Sequence, residues 1–309
     1  MAQDVIDIRT RNNAFLDSLE TPGHEKRAVD AANLFTRTQV REDGFYRKIL
    51  DPIYLTNDEL DPLPDSDRMS KVVDMEPGQP AARTIPFATA PDQEFIRVPR
   101  YVVRGSRVVG PHFVADVDLL RTYRIDIRQV LSDNSLKDIL AEEDDKLIST
   151  ANSIMGGARG ATVAATGSVQ WDEIPGGITR ESYEDSLKIL PSTPSHLETA
   201  VSIINNVTLR EFMKWGRDEM GGDKSQDVLF DGWTAEQIGK NKLIVTIKRN
   251  LVADDTMFQF GHQDFLGKSF IFTDVTLYIK KEGPMIGYHH YETIGGTLIV
   301  TGVARADYT

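Results

Sequence analysis

The stretch from Asp51 to Gln93 constrains this chain more than any other part of it. Pro52, Pro62, Pro64, Pro77, Pro80, Pro86 and Pro91 punctuate it, with many acids between them and few large apolar residues. A proline has no N–H to give to a ladder or a helix, and its ring holds φ near −65°. About 40 residues of this kind make an unusually long loop for the inside of a compact domain. Two readings are open: a flexible surface loop, or an excursion that leaves the body of the protein and becomes ordered against another molecule.

The flanking sequence carries ordinary periodic signals. Thr21-Pro22 reads as a helix start, followed by a thin apolar stripe of Ala28, Val29, Ala31, Ala32, Leu34 and Phe35. Ile96 to Val103 reads as a strand, with Pro99 favouring an edge. Leu119 to Leu131 fits a short helix. The clearest helix is expected from Ser135, as N-cap with Asp138 three residues on, to Met155, with Gly156-Gly157 ending it. At 1.5 Å per residue it would be roughly 30 Å long. Its apolar stripe breaks for one turn at Glu142, Glu143, Asp144 and Asp145, which is expected to be solvated or to face another subunit.

Two later helices announce themselves by caps. Thr179 starts one, with Ile178 stapled to Tyr183 and Pro191 as the stop, and Thr208 starts the other, with Glu211 completing a capping box and Gly221-Gly222 closing it. Ala200 to Ile204, Leu243 to Ile247, Phe270 to Ile279 and Thr297 to Ala304 read as strands. Helices and strands are unevenly segregated, so the expected class is α+β.

Conventional chemistry finds little footing. Gly261 to Ser269 imitates a phosphate loop, but it has five residues between its glycines instead of four and leads into a strand instead of a helix. Adjacent His289 and His290 point to opposite faces of a strand and have no third ligand at metal spacing. No cysteine is present, which removes disulfides and thiolate chemistry. The net charge of −12 and the lack of a Lys/Arg cluster argue against sequence-directed DNA binding. No apolar run is long enough for a membrane span, the first residues do not read as a signal peptide, and no cofactor or metal is expected.

The order of these pieces resembles the major capsid proteins of tailed bacteriophages, the HK97-like fold. The resemblance implies an N-terminal arm over residues 1–50, an E-loop β-hairpin with its flanks over 51–107, and a peripheral domain over 108–177 with a spine helix over 135–155. An axial domain would follow over 178–260, and residues 261–309 would return to the peripheral strands. It also implies a structural, non-enzymatic subunit that assembles into pentamers and hexamers of an icosahedral head around double-stranded DNA. A separate scaffolding protein, a portal and in some relatives a decoration protein would be partners, with assembly in the host cytoplasm and residence in the virion. Arg83, Arg97, Arg100, Arg104, Glu142 and Glu143 are the candidate subunit contacts. The alternatives are an encapsulin-type compartment shell of the same fold, or a hydrolase built where Asp254, Asp255 or His262 converge.

Overall fold

The computed structural model describes residues 43–64, 66–76, 84–85, 87, 95, 97–122, 127–155, 170–215, 237–238 and 240–309. In chain order these begin with α1 (Tyr46–Ile49), β1 (Pro52–Tyr54), a 3-10 turn at Asn57–Glu59, and β2 (Ser70–Asp74). Then come β3 (Arg100–Arg104), β4 (Ser106–Val109), β5 (Phe113–Asp116), α2 (Val117–Thr122) and α3 (Ile127–Ile154). They continue through β6 (Trp171–Ile174), α4 (Arg180–Ser186), β7 (Thr199–Asn205), α5 (Leu209–Phe212), β8 (Gln237–Ile238) and β9 (Asn241–Thr246). The last are β10 (Thr256–Gly261), α6 (Gln263–Leu266), β11 (Gly267–Glu282), β12 (Met285–Leu298), a 3-10 turn at Val300–Gly302, and β13 (Val303–Tyr308).

One sheet is organised around the long β11–β12 hairpin, which pairs from Gly267 opposite Leu298 to Glu282 opposite Met285. β1 joins the β11 edge in parallel, while β4 and β5 pair with successive stretches of β12. The apolar run Phe270-Ile271-Phe272 is buried on both faces, as expected of a strand covered on each side. Ile271 packs with Ile139 of α3, Val108 and Ile294, whereas Phe270 and Phe272 pack with Val103, Leu55, Leu60 and Val73 at the base of the β2–β3 ribbon. Beyond Phe272 the strand alternates between half-buried and exposed, the period of a sheet with one wet face. Gly267 starts it at φ 145°, and a Cβ there would lie 2.0 Å from the Thr297 carbonyl oxygen, so only glycine fits.

The second sheet runs β6-β13-β10-β7-β9-β8. Its central strand β10 is buried at every residue. One face packs Tyr183, Leu190, Ile204, Phe212, Met257 and Tyr308 into a core with α4 and α5. The other packs Ile203, Ile244, Phe258, Phe260 and Val303 against Leu147, Ile148, Ala151 and Met155 of α3 and against Phe45, Tyr46, Ile49 and Leu50. The middle of α3, at Ile139, and its C-terminal turns therefore rest on different sheets.

Several expectations are met. β7 and β11 cover the strands read at 200–204 and 270–279, and β9 covers the one read at 243–247 as far as Thr246. Thr179 caps α4 through Ser182 N, and Ile178 and Tyr183 share a core. Others are corrected. Ser135 is no cap: α3 already runs at Ile127 and spans 28 residues, about 42 Å at 1.5 Å per residue. Ser135 is 1% exposed, and its Oγ would lie 2.3 Å from a Cβ at Gly110, so packing on a neighbouring strand overrode a local capping signal. The helix read at 119–131 is split between α2 and the start of α3, with 123–126 outside the described residues.

Thr208 also fails as a cap. It sits in helical conformation without a side-chain cap bond, and its Oγ1 accepts from Asp255 N instead. The strand read at Thr297 to Ala304 is the end of β12, a 3-10 turn and the start of β13. β13 lies in the six-stranded sheet, as does β6. The arm helix after Thr21, Arg83, Gly156-Gly157 and Gly221-Gly222 lie outside the described residues.

Candidate functional site

Enzyme-like candidates separate instead of converging. Asp254 receives Arg249 and the Asn205 amide, Asp255 uses its backbone N–H on Thr208, and His262 lies beside Asp264. The phosphate-loop look-alike is a single helical turn, α6, that enters β11. His289 stacks among His112, Tyr278 and Tyr291, whereas buried His290 faces the other side of β12. Among the described residues no three His, Cys, Asp or Glu side chains group as metal ligands.

What the structure does assemble is a charged core where α1, α3 and β12 meet. The acid turn that interrupts the α3 stripe is half inside: Glu143 is 1% and Asp144 0% exposed, while Glu142 and Asp145 are exposed. Arg47 of α1 grips Glu143 with both ends of its fork, Nε to Oε2 at 3.0 Å and Nη2 to Oε1 at 2.6 Å. The same Nη2 reaches Oε2 of Glu292 on β12 at 3.0 Å. Burial first, then the contact with Glu143, pushes the Glu292 carboxyl up to about 8. The two carboxylates hold the Arg47 guanidinium well above its ordinary range.

Asp144 looks the other way. Its Oδ1 accepts from the backbone N–H groups of Phe45, at 2.9 Å, and Tyr46, at 2.7 Å. Its Oδ2 accepts from Lys248 Nζ at 2.5 Å. Helix α1 is four residues long and Phe45 offers no side-chain cap, so Asp144 supplies one from a position 99 residues further along the chain. Burial raises the Asp144 carboxyl, and Lys248 with the two N–H groups opposes that rise. Tyr46 completes the junction by donating its hydroxyl to Ser269 at 2.7 Å.

The other distinctive surface is the β2–β3 ribbon, paired from Ser70 opposite Arg104 to Asp74 opposite Arg100. Its base is anchored through Val73 and Val103. Tyr101 and Val102 of β3 are exposed, as is Val98 just before it, and earlier in the chain Phe87 and Phe95 are almost fully exposed. A two-stranded ribbon is marginal on its own in water, and a large apolar side chain left exposed on such a ribbon is suited to contact with another molecule. Arg100 pairs with Asp74 along the ribbon at 2.9 Å. Arg97 is exposed, and Arg104 is exposed where the ribbon meets a cleft of about 370 Å³ beside α3.

The candidate contact residues thus have different fates. Arg97, Arg100, Arg104 and Glu142 are exposed. Glu143 is not solvated: it is held by Arg47 of its own chain. Sequence reading missed Arg47, Glu292 and Lys248. The available signal was the broken stripe itself, since two acids on the buried side of a helix require cations or donors from elsewhere.

No family model matches the sequence, and no curated protein matches it. Solved structures do. The capsid of an empty GTA particle superposes with a TM-score of 0.63 at 13% identity, over 94% of this chain and 98% of that one. A chain of Microbacterium phage Oxtober96 gives 0.59 at 11% identity, over 92% and 98%. The capsid of the cyanophage P-SCSP1u gives 0.58 at 8% identity, over 94% and 98%. The chain has the α+β, HK97-like fold of these phage capsid structures.

Proposed function

We propose that this chain is the major capsid protein of a tailed phage, a non-enzymatic subunit that forms pentamers and hexamers of an icosahedral head. The observation that carries the reading is a capsid fold matched over more than nine-tenths of both chains. The ribbon supports it: its exposed Tyr101 and Val102 suit a covering surface that a neighbouring subunit would provide. In this reading residues 1–50 form the arm, 51–107 the E-loop and flanks, and 108–177 the peripheral domain around α3. Residues 178–260 form the axial domain and 261–309 the return. The acidic chain, at −12, lines the head around double-stranded DNA without gripping it by sequence. A separate scaffolding protein, a portal and a decoration protein are the expected partners, with assembly in the host cytoplasm and residence in the virion.

The test is expression of the full chain, alone and with a candidate scaffolding gene, followed by size-exclusion chromatography and negative-stain electron microscopy. Shells or discrete pentamers and hexamers are expected. A monodisperse monomer or dimer in both preparations refutes the reading. Shells that enclose a cargo enzyme when made beside its gene would instead indicate a compartment shell.

A further inference from the structure

One cation in the α1–α3–β12 junction faces two carboxylates. Glu143 is 1% and Glu292 0% exposed, while Arg47 is the guanidinium that bonds both. With both acids ionised the group would carry one uncompensated negative charge in a site from which water is largely excluded, an arrangement that favours keeping a proton. The geometry shows where that proton belongs. Glu292 Oε2 is occupied by Arg47, but Oε1 is buried without a donor from the protein. Arg47 Nη2 bonds Glu143 Oε1 at 2.6 Å and Glu292 Oε2 at 3.0 Å, so the two carboxyl groups meet at one nitrogen. Two carboxyl groups bond to each other only through a proton, so a protonated Glu292 Oε1 donating to Glu143 satisfies an atom that is otherwise orphaned.

Among the described residues no second cation reaches the pair. From α1, Tyr46 and Arg47 face the pair, and Tyr54 of β1 faces Arg47. From β11, Asp274 adds another negative charge near Glu292. His290 lies two residues earlier on the same face of β12, and burial together with the neighbouring His289 holds it below its ordinary value, hence neutral. Arg107 of β4 is turned over the Tyr291 ring. Asp144 spends its charge on Lys248. Arg104 and Lys146 line the cleft that opens beside Glu143, but neither forms an ion pair with Glu143 or Glu292. That cleft gives the site a route to solvent through which a proton can exchange.

We propose that Arg47, Glu143 and Glu292 form a proton-held latch: a single proton shared by the two carboxyls keeps α1 docked on α3 and β12, and its loss in mildly alkaline solution loosens α1. The latch belongs to the subunit itself and does not depend on whether the chain builds shells. Its failure and the failure of the capsid reading are therefore separable.

Two measurements on the full-length chain test it. Infrared difference spectra recorded between pH 6 and pH 10 should show a protonated carboxylic C=O band that disappears as pH rises through about 8, and Glu292→Gln should remove that band. Amide hydrogen exchange at Lys48 and Leu50, whose N–H groups close the α1 turn, should lose protection by about tenfold beyond the base-catalysed rate over the same range. In Glu292→Gln, which mimics the protonated acid, that extra loss should vanish. The latch is overturned if the wild-type chain shows no titrating band, if α1 protection is independent of pH, or if the loss persists undiminished in Glu292→Gln.

Discussion

Replacing Asp144 with alanine removes one carboxylate and strands three donors. Two are the backbone N–H groups of Phe45 and Tyr46, and the third is Lys248 Nζ, whose side chain is 13% exposed. Breaking a buried ion pair from one side costs about 3–5 kcal/mol, because the remaining charge stays buried. Loss of a helix cap adds about 1 kcal/mol. Lys248 can shed its proton or shift toward water, so the two penalties do not add fully, and about 4 kcal/mol is the expected total. That is a large share of the stability of a typical domain. Urea unfolding of the unassembled chain, in a cycle with Lys248→Met and the double variant, measures it. The double variant should recover roughly 2–3 kcal/mol, leaving the cap deficit of about 1 kcal/mol, since Met fills the space without a charge to strand. A loss below about 1 kcal/mol in Asp144→Ala, or no recovery in the double variant, would refute the view that this acid is both the ion partner and the distant cap of α1.

Three further outcomes follow from the same geometry. The folded chain holds the Glu292 proton up to about 8 whereas an unfolded glutamate releases it near 4.5, so between those values the native state binds more protons and stability falls as pH rises. Glu292→Gln should match the wild type below about pH 4 and exceed it by about 4–5 kcal/mol above pH 8 in urea titrations, the full linkage between those two values; a constant offset would contradict the linkage. Gly267→Ala places a Cβ against the Thr297 carbonyl at a left-handed φ, and thermal unfolding should register a loss of about 3 kcal/mol. Thr179→Ala deletes the acceptor for Ser182 N and should cost about 1 kcal/mol, with Thr179→Ser retaining most of the stability.

Local signals carried the parts of the fold whose causes are local. The Thr179 cap, the apolar run at Phe270 and the strand at Ala200 each arise from neighbours within a few residues, and each lies where the pattern placed it. Within the proline-rich stretch, Ser70–Asp74 forms β2, which pairs with β3 as the ribbon. The misreadings share the opposite trait. Ser135 and Thr208 had good capping sequences, but one packs on Gly110 and the other serves Asp255, both distant in sequence. The acid turn in α3 was seen as an interruption of the apolar stripe. Its partners Arg47, Lys248 and Glu292 lie 96, 104 and, through Arg47, 245 residues apart in the chain. No spacing rule connects positions so far apart; only the folded topology does.

Helix α3 rests its middle, at Ile139, on the five-stranded sheet and its later turns on the six-stranded one. A helix resists stretching because every turn is tied to the next by hydrogen bonds along its axis. With one rod packed on both sheets, they cannot slide apart or fold toward each other without breaking contacts at Ile139 or at Leu147 and Ala151. Twist about the rod axis is the soft motion that remains. An array of such plates would adjust its curvature chiefly through one torsion angle per copy, so cross-linking the two sheets across α3 should stiffen the whole surface while leaving each plate's own packing untouched.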